Sequence, residues 1–314
     1  MNSVSQKWLG FIYVLIAGIG FGFLGIFGKL AFQNNLSVQE LLTFRFLLAG
    51  FIIGVYLFIF KRDDLLLPKR QIFTSIILGV LGYATFSSLY FFAIQGLSVA
   101  IAAMLLFCFP FFVIIGEFLF FKEKISLTKI ISLVMCLVGI FLLIYTPGET
   151  DGPQSPFLID RSKIIYILYA LSAALTYSVY VLASGRLQRK TPAGGSSFYV
   201  IFSAGVALML VNFSYIEFEK FLMPQNFLIV LGIALVCTII PITCFLLGLQ
   251  RLSSGTASII VTIEPVVACV AGYFILSESL SILQILGSAI VITAIMIIHK
   301  SHNQTESRVK KGSN

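Results

Sequence analysis

The polar residues of this 314-residue chain are gathered into short clusters, and between the clusters run ten stretches that are almost wholly apolar. They cover Trp8 to Phe32, Val38 to Phe60, Ile72 to Ile94, Leu97 to Phe121 and Ile125 to Tyr145, then Ile164 to Ser184, Phe198 to Tyr215, Phe227 to Leu249, Gly255 to Leu276 and Ile282 to His299. A helix of about 20 residues crosses the hydrocarbon core of a bilayer. The pattern therefore predicts an all-α membrane protein with ten transmembrane helices. The cluster from Thr146 to Ser162 is rich in Pro, Gly and acidic residues and is the one substantial linker. It divides the chain into a first unit at 8–146, a linker at 147–162, a second unit at 163–299 and a polar, basic tail at 300–314 that is expected to be disordered.

The two units are copies of one plan. Shifting the sequence by 155 residues lays Gln95 on Gln250, Leu97 on Leu252, Ala102 on Ala257, Pro110 on Pro265, Glu123 on Glu278 and Ser126 on Ser281. A shift of 157 lays Gly28, Lys29 and Leu30 on Gly185, Arg186 and Leu187. Each unit holds five spans, an odd number, so the copies must enter the membrane in opposite orientations as inverted repeats. Matched interrupted helices in such repeats point to a central site, and Pro110 and Pro265 are the matched pair.

The ninth stretch, GTASIIVTIEPVVACVAGYFIL, sets a carboxylate inside an apolar run. Glu264 falls about nine residues, or ~13 Å, from its start and so close to the midplane. A carboxylate there must be paired, protonated or wetted, which makes it a candidate for a substrate cavity and makes protons candidate partners. Pro265 removes a backbone donor and frees the carbonyl of Val261, so the helix should be broken beside Glu264. The competing reading makes Glu264 a buried polar anchor between helices. Arg45 lies about seven residues into the second stretch, ~10 Å deep. It could face the same cavity or snorkel to the interface along its flexible stem.

Composition narrows the classes of function. With 59% hydrophobic and 11% charged residues, the chain is far from a soluble average. Its net charge of +8 does not point to nucleic acid, because the basic residues sit in loops and tail. Sixteen of the 21 Lys and Arg fall on one alternating set of loops and termini and four on the other, which predicts both termini in the cytoplasm. The five cysteines lie within apolar runs without metal-type spacing, and His299 and His302 sit at or beyond the end of the last span. No metal, cofactor or histidine-based triad is therefore expected, and the absence of a phosphate-binding loop removes an ATP-driven pump.

Taken with the R-F-L-L-A run at Arg45 to Ala49, the Glu264-Pro265-Val266 run and the E-x-x-S pieces at Glu123 and Glu278, these features resemble the EamA family of the drug/metabolite transporter superfamily. The resemblance covers about Trp8 to His299 and implies two five-helix EamA repeats. It also implies a secondary transporter, an exporter, of small organic metabolites such as amino acids, working by alternating access in the inner or plasma membrane. The alternatives are a membrane-embedded enzyme or a sensory receptor without transport activity. The position matching Glu264 in the first repeat is Phe109, so the site cannot be symmetric and its polar weight should rest on the second repeat. The substrate-site candidates are Glu264, Arg45, Tyr83, Tyr90, Gln95, Tyr177 and Gln250. Glu123 and Glu278 are expected to act as helix caps and loop anchors.

Overall fold

The computed structural model describes residues 3–97, 99–123, 125–144, 163–277 and 279–311; the linker at 147–162 and Glu278 lie outside the described residues. Among the described residues, ten helical stretches are long and apolar enough to cross a membrane. They are Gln6–Gln33, Val38–Phe60, Lys69–Ile94, Ile101–Phe121, Leu127–Ile144, Ile164–Gln188, Ala193–Tyr215, Pro224–Leu249, Ser254–Leu276 and Ile282–Lys300. The fold is all-helical, and its five-span halves are inverted repeats. The last helix runs from Ile282 to Lys311. Once a span has formed, each further residue adds a backbone hydrogen bond without a new nucleation cost.

The packing is symmetric between the halves. The first span lies against the eighth and ninth, and the sixth lies against the third and fourth. Exchanging the repeats turns one set of pairs into the other. The second span packs on the seventh and the fifth on the tenth, each helix against its own counterpart. Apolar lipid supplies no hydrophobic drive between helices, so close backbone approach matters. At the second and seventh spans, a Cβ on Gly205 would lie 2.9 Å from the Leu47 amide nitrogen, and one on Gly50 would lie 2.9 Å from the Phe202 Cα. These neighbours are backbone or backbone-attached and cannot swing away. Gly205→Leu is accordingly expected to lower the thermal unfolding midpoint in detergent, at a cost of about 1–3 kcal/mol, whereas Leu210→Ala on the exposed side of the same helix should barely move it.

The first span is interrupted at Phe23, and four more spans are irregular in two matched pairs. The fourth is split into Val99–Leu106 and Phe109–Phe121, with Pro110 in the first turn of the second piece. The ninth is split into Ser254–Ile260 and Glu264–Leu276 by a tight 3₁₀ turn at Val261–Ile263, with Pro265 in the first turn. The third and eighth spans are widened into π-helix at Leu78–Ala84 and Leu235–Ile239, and the shift of 157 places Leu78 on Leu235. Hydroxyls satisfy carbonyls near both widened turns: Thr85 Oγ1 donates to Val80 O and Thr238 Oγ1 to Ile233 O, each at 3.0 Å. The glycine-crowded first span nestles against the irregular turns of the second repeat. A Cβ on Gly20 would lie 2.7 Å from Val236 O, and one on Gly22 would lie 2.8 Å from Glu264 O.

The face that carries both ends of the chain is tied by contacts between connections: Tyr199 donates to Leu65 O at 2.9 Å and Gln71 to Lys190 O at 3.2 Å. On the opposite face, Glu40 closes a capping box with Ser37 at the start of the second span. It also accepts the Glu217 amide at 3.1 Å and lies 3.6 Å from Lys220. The hydrogen bond to Glu217 holds the Lys220 ammonium above its ordinary lysine range, so it stays charged throughout the physiological range.

Candidate functional site

The broken turn of the ninth span presents Glu264 as the first residue of its second helical piece. The residue is only partly buried, and among the described residues its carboxylate has neither an ion pair nor a hydrogen bond. Arg45 comes to the same region from the second span. It is 4% exposed, which places it in the protein interior rather than at the interface. Its guanidinium carbon stands 4.4 Å from the Phe46 ring centre and interacts with the Tyr83 hydroxyl, while its Nε is buried without a hydrogen-bond partner. Arg45 and Glu264 feel each other electrostatically but do not form a direct ion pair. A buried donor left unpaired costs about 1–3 kcal/mol, and more when charged. The arrangement thus holds a guanidinium and a carboxyl group apart, each with unused hydrogen-bonding capacity.

Beside Arg45 runs a continuous set of rings from both repeats. Tyr83 meets Phe46 at 5.2 Å, Phe86 at 4.8 Å and Tyr180 at 5.4 Å between centroids, all edge to face. Tyr177 meets Phe86 at 4.6 Å and Phe109 at 4.7 Å. Edge-to-face pairs place positive ring edges against negative faces and lock the rings in orientation. Tyr83, Tyr90 and Tyr177 all lie within electrostatic range of Glu264. Cys237, in the widened turn of the eighth span, feels both Arg45 and Glu264.

Of the seven candidates, the structure gathers five: Glu264, Arg45, Tyr83, Tyr90 and Tyr177. It sets Gln95 and Gln250 apart from these five. Gln95 is exposed at the C-terminal end of the third span. Gln250 caps the eighth, where its amide donates to Thr191 O at 3.0 Å and its carbonyl oxygen accepts from Arg251 at 3.5 Å. The pair match because both end the third helix of a repeat, and helix ends lie far from the midplane. The capping expected of Glu123 falls instead to Ser126, which accepts the Lys129 amide at 3.2 Å; Glu123 reaches Lys129 and Arg189, each at 3.9 Å. Sequence reasoning missed Tyr180, Phe86 and Phe46, whose identities do not separate them from lipid-facing aromatics. It also missed Glu117, a carboxylate in the apolar run FPFFVIIGEFLFF that carries the same signal as Glu264.

The sequence profile of the EamA-like transporter family matches residues 8–145 and again 164–299, one copy for each five-span half. The chain belongs to the EamA-like transporter family. Among its relatives, a protein of Archaeoglobus fulgidus described as an uncharacterized transporter is 26% identical over 90% of this chain and 94% of its own length. One of Clostridium kluyveri with the same description is 26% identical over 97% of each chain. A third, of Salmonella typhimurium, is described as an uncharacterized inner membrane transporter and is 23% identical over 92% of this chain and 94% of its own. A solved crystal structure superimposes with a TM-score of 0.79 over 96% of this chain and 99% of its own at 15% identity, which shows a shared fold. The EamA-like protein described here is therefore a multi-pass membrane protein of a transporter family.

Proposed function

We propose that this EamA-like protein is a secondary transporter that exports small organic solutes carrying a carboxylate and an amine, with amino acids as the type. One observation carries the reading: a buried guanidinium with an unpaired Nε and a carboxylate without a partner share one aromatic-walled region without pairing to each other. A zwitterion matches both, with its carboxylate toward Arg45 and its amine toward Glu264. The rings give its carbon skeleton an apolar wall and its ammonium a face on which to rest. The broken fourth and ninth helices and the widened third and eighth supply joints at matched positions, as rocking of inverted repeats requires.

The basic bias of the loops and the relative named as an inner membrane transporter support a plasma or inner membrane address with both termini cytoplasmic. A reporter fused after Asn314 is expected to read cytoplasmic and one inserted at Glu219 external; the reverse pair would invert the orientation. The substrate is sought by profiling metabolites in cells and medium with and without overexpression. Accumulation of amino acids or related amines in the medium is the expected result, and an unchanged medium with verified membrane expression would reject the export reading. Uptake into vesicles at several pH values then decides whether protons are coupled.

A further inference from the structure

A second carboxylate lies at the seam between the repeats, away from the aromatic region. Glu117, on the second piece of the fourth span, is 3% exposed. One of its oxygens accepts the Gly255 amide at 2.7 Å, and the other receives Lys129 Nζ at 2.9 Å. Gly255 is the second residue of the piece of the ninth span that ends at the broken turn before Glu264. Its lack of a side chain admits the carboxylate, because a Cβ there would lie 2.5 Å from Glu117 Oε2 and 3.1 Å from its Cδ. Two looser contacts flank this bond: Arg186 lies 4.0 Å from the Phe121 ring centre and Arg189 lies 3.9 Å from Glu123. All three join the fourth span or its end to the other repeat, on the face where the chain ends lie. A polar cavity of about 100 Å³, lined in part by Glu117, Arg186 and Ser254, runs along the seam beside them.

The opposite face is tied by different residues: Glu40 of the first repeat accepts the Glu217 amide of the second at 3.1 Å and lies 3.6 Å from Lys220. The repeat shifts carry Glu117 to Gly272, Gly255 to Ala100 and Arg189 to Phe32, so neither the carboxylate nor the outer cation recurs at the matching positions. We propose that Glu117 is a latch that holds the seam closed on the face bearing the termini. The latch ties the first repeat to the helix piece that positions Glu264, so releasing it frees that piece to move. It rests on the reading of the protein as an alternating-access transporter. The physical reason is that the buried charge-assisted hydrogen bond from the Gly255 amide to the Glu117 carboxylate is lost when the seam opens, while Lys129, on the same repeat as Glu117, stays paired with it.

The test reads conformation without a substrate. In full-length protein with its five cysteines replaced by alanine, spin labels at Phe120→Cys and Lys190→Cys straddle the seam, and their distance distribution is measured in lipid nanodiscs. Glu117→Gln keeps the shape of the side chain but not the charge, and is expected to raise the long-distance population at least about fivefold. Gly255→Ala, which pushes the carboxylate aside and leaves every charge in place, is expected to act in the same direction. Unchanged distributions in both folded variants would overturn the latch. So would failure of both variants to fold, which makes Glu117 a folding residue. Absence of metabolite export would fail the transport reading without altering the distance result.

Discussion

Replacing Glu264 with glutamine is expected to reduce transport by at least about tenfold, a loss of about 1.4 kcal/mol or more in the interaction that Glu264 makes with the substrate. The amide keeps the shape and some hydrogen bonding but cannot attract an ammonium group. Folding should survive, because no protein group pairs with the carboxylate and the residue is only partly buried. Glu264→Ala is expected to damage stability as well, since it empties space beside the turn at Val261–Ile263. The measurement is uptake into reconstituted vesicles at several pH values, with thermal unfolding alongside. If the carboxyl carries a proton during the cycle, the glutamine variant also loses the pH dependence of the wild type. Wild-type uptake with a wild-type pH profile would remove Glu264 from the site, and loss of folded protein in both variants would make it a structural anchor.

Arg45 offers a second test in which function and stability are expected to part. Its guanidinium is buried, has a partnerless Nε and lacks a direct ion pair with Glu264. Replacing a buried, poorly compensated charge with an apolar side chain of similar volume is often neutral or stabilising. Arg45→Met should therefore unfold at the same temperature as the wild type or higher, while transport falls by about tenfold or more because a charge-assisted bond worth about 1.5–3 kcal/mol is lost. Arg45→Lys keeps the charge but not the two-pronged geometry, and is expected to weaken affinity more than turnover. A destabilised Arg45→Met that still transports would show a structural arginine instead.

Both tests concern residues whose depth was legible in the sequence and whose orientation was not. Arg45 at ~10 Å depth was equally compatible with the interface and the interior. The choice was made by Tyr83 and Phe46, which close around it. Gln95 and Gln250 show the reverse: their match across the repeats is plain in the sequence, and the structure places both at equivalent helix ends, apart from the other five. Pro110 and Pro265 announced their broken spans because a missing donor is written in the residue type itself. The π-helical turns at Leu78–Ala84 and Leu235–Ile239 carried no such mark, since an inserted turn is chosen by the packing of neighbours.

The sequence by itself determined the number of spans, their approximate ends, the duplication and the inverted arrangement of the halves. These follow from local requirements: in hydrocarbon each segment must satisfy its own backbone, so a long apolar run becomes a spanning helix whatever surrounds it, and five crossings per copy force the inversion. The tertiary structure decided which face of each helix is buried, that Arg45 and Glu264 come together without pairing, and that Glu117 ties the halves on one face. An apolar side chain is as much at home in lipid as against another helix, so hydrophobicity alone does not orient a transmembrane helix. Its orientation is set by glycine approaches, aromatic contacts and a few buried charges contributed by segments far apart in the chain.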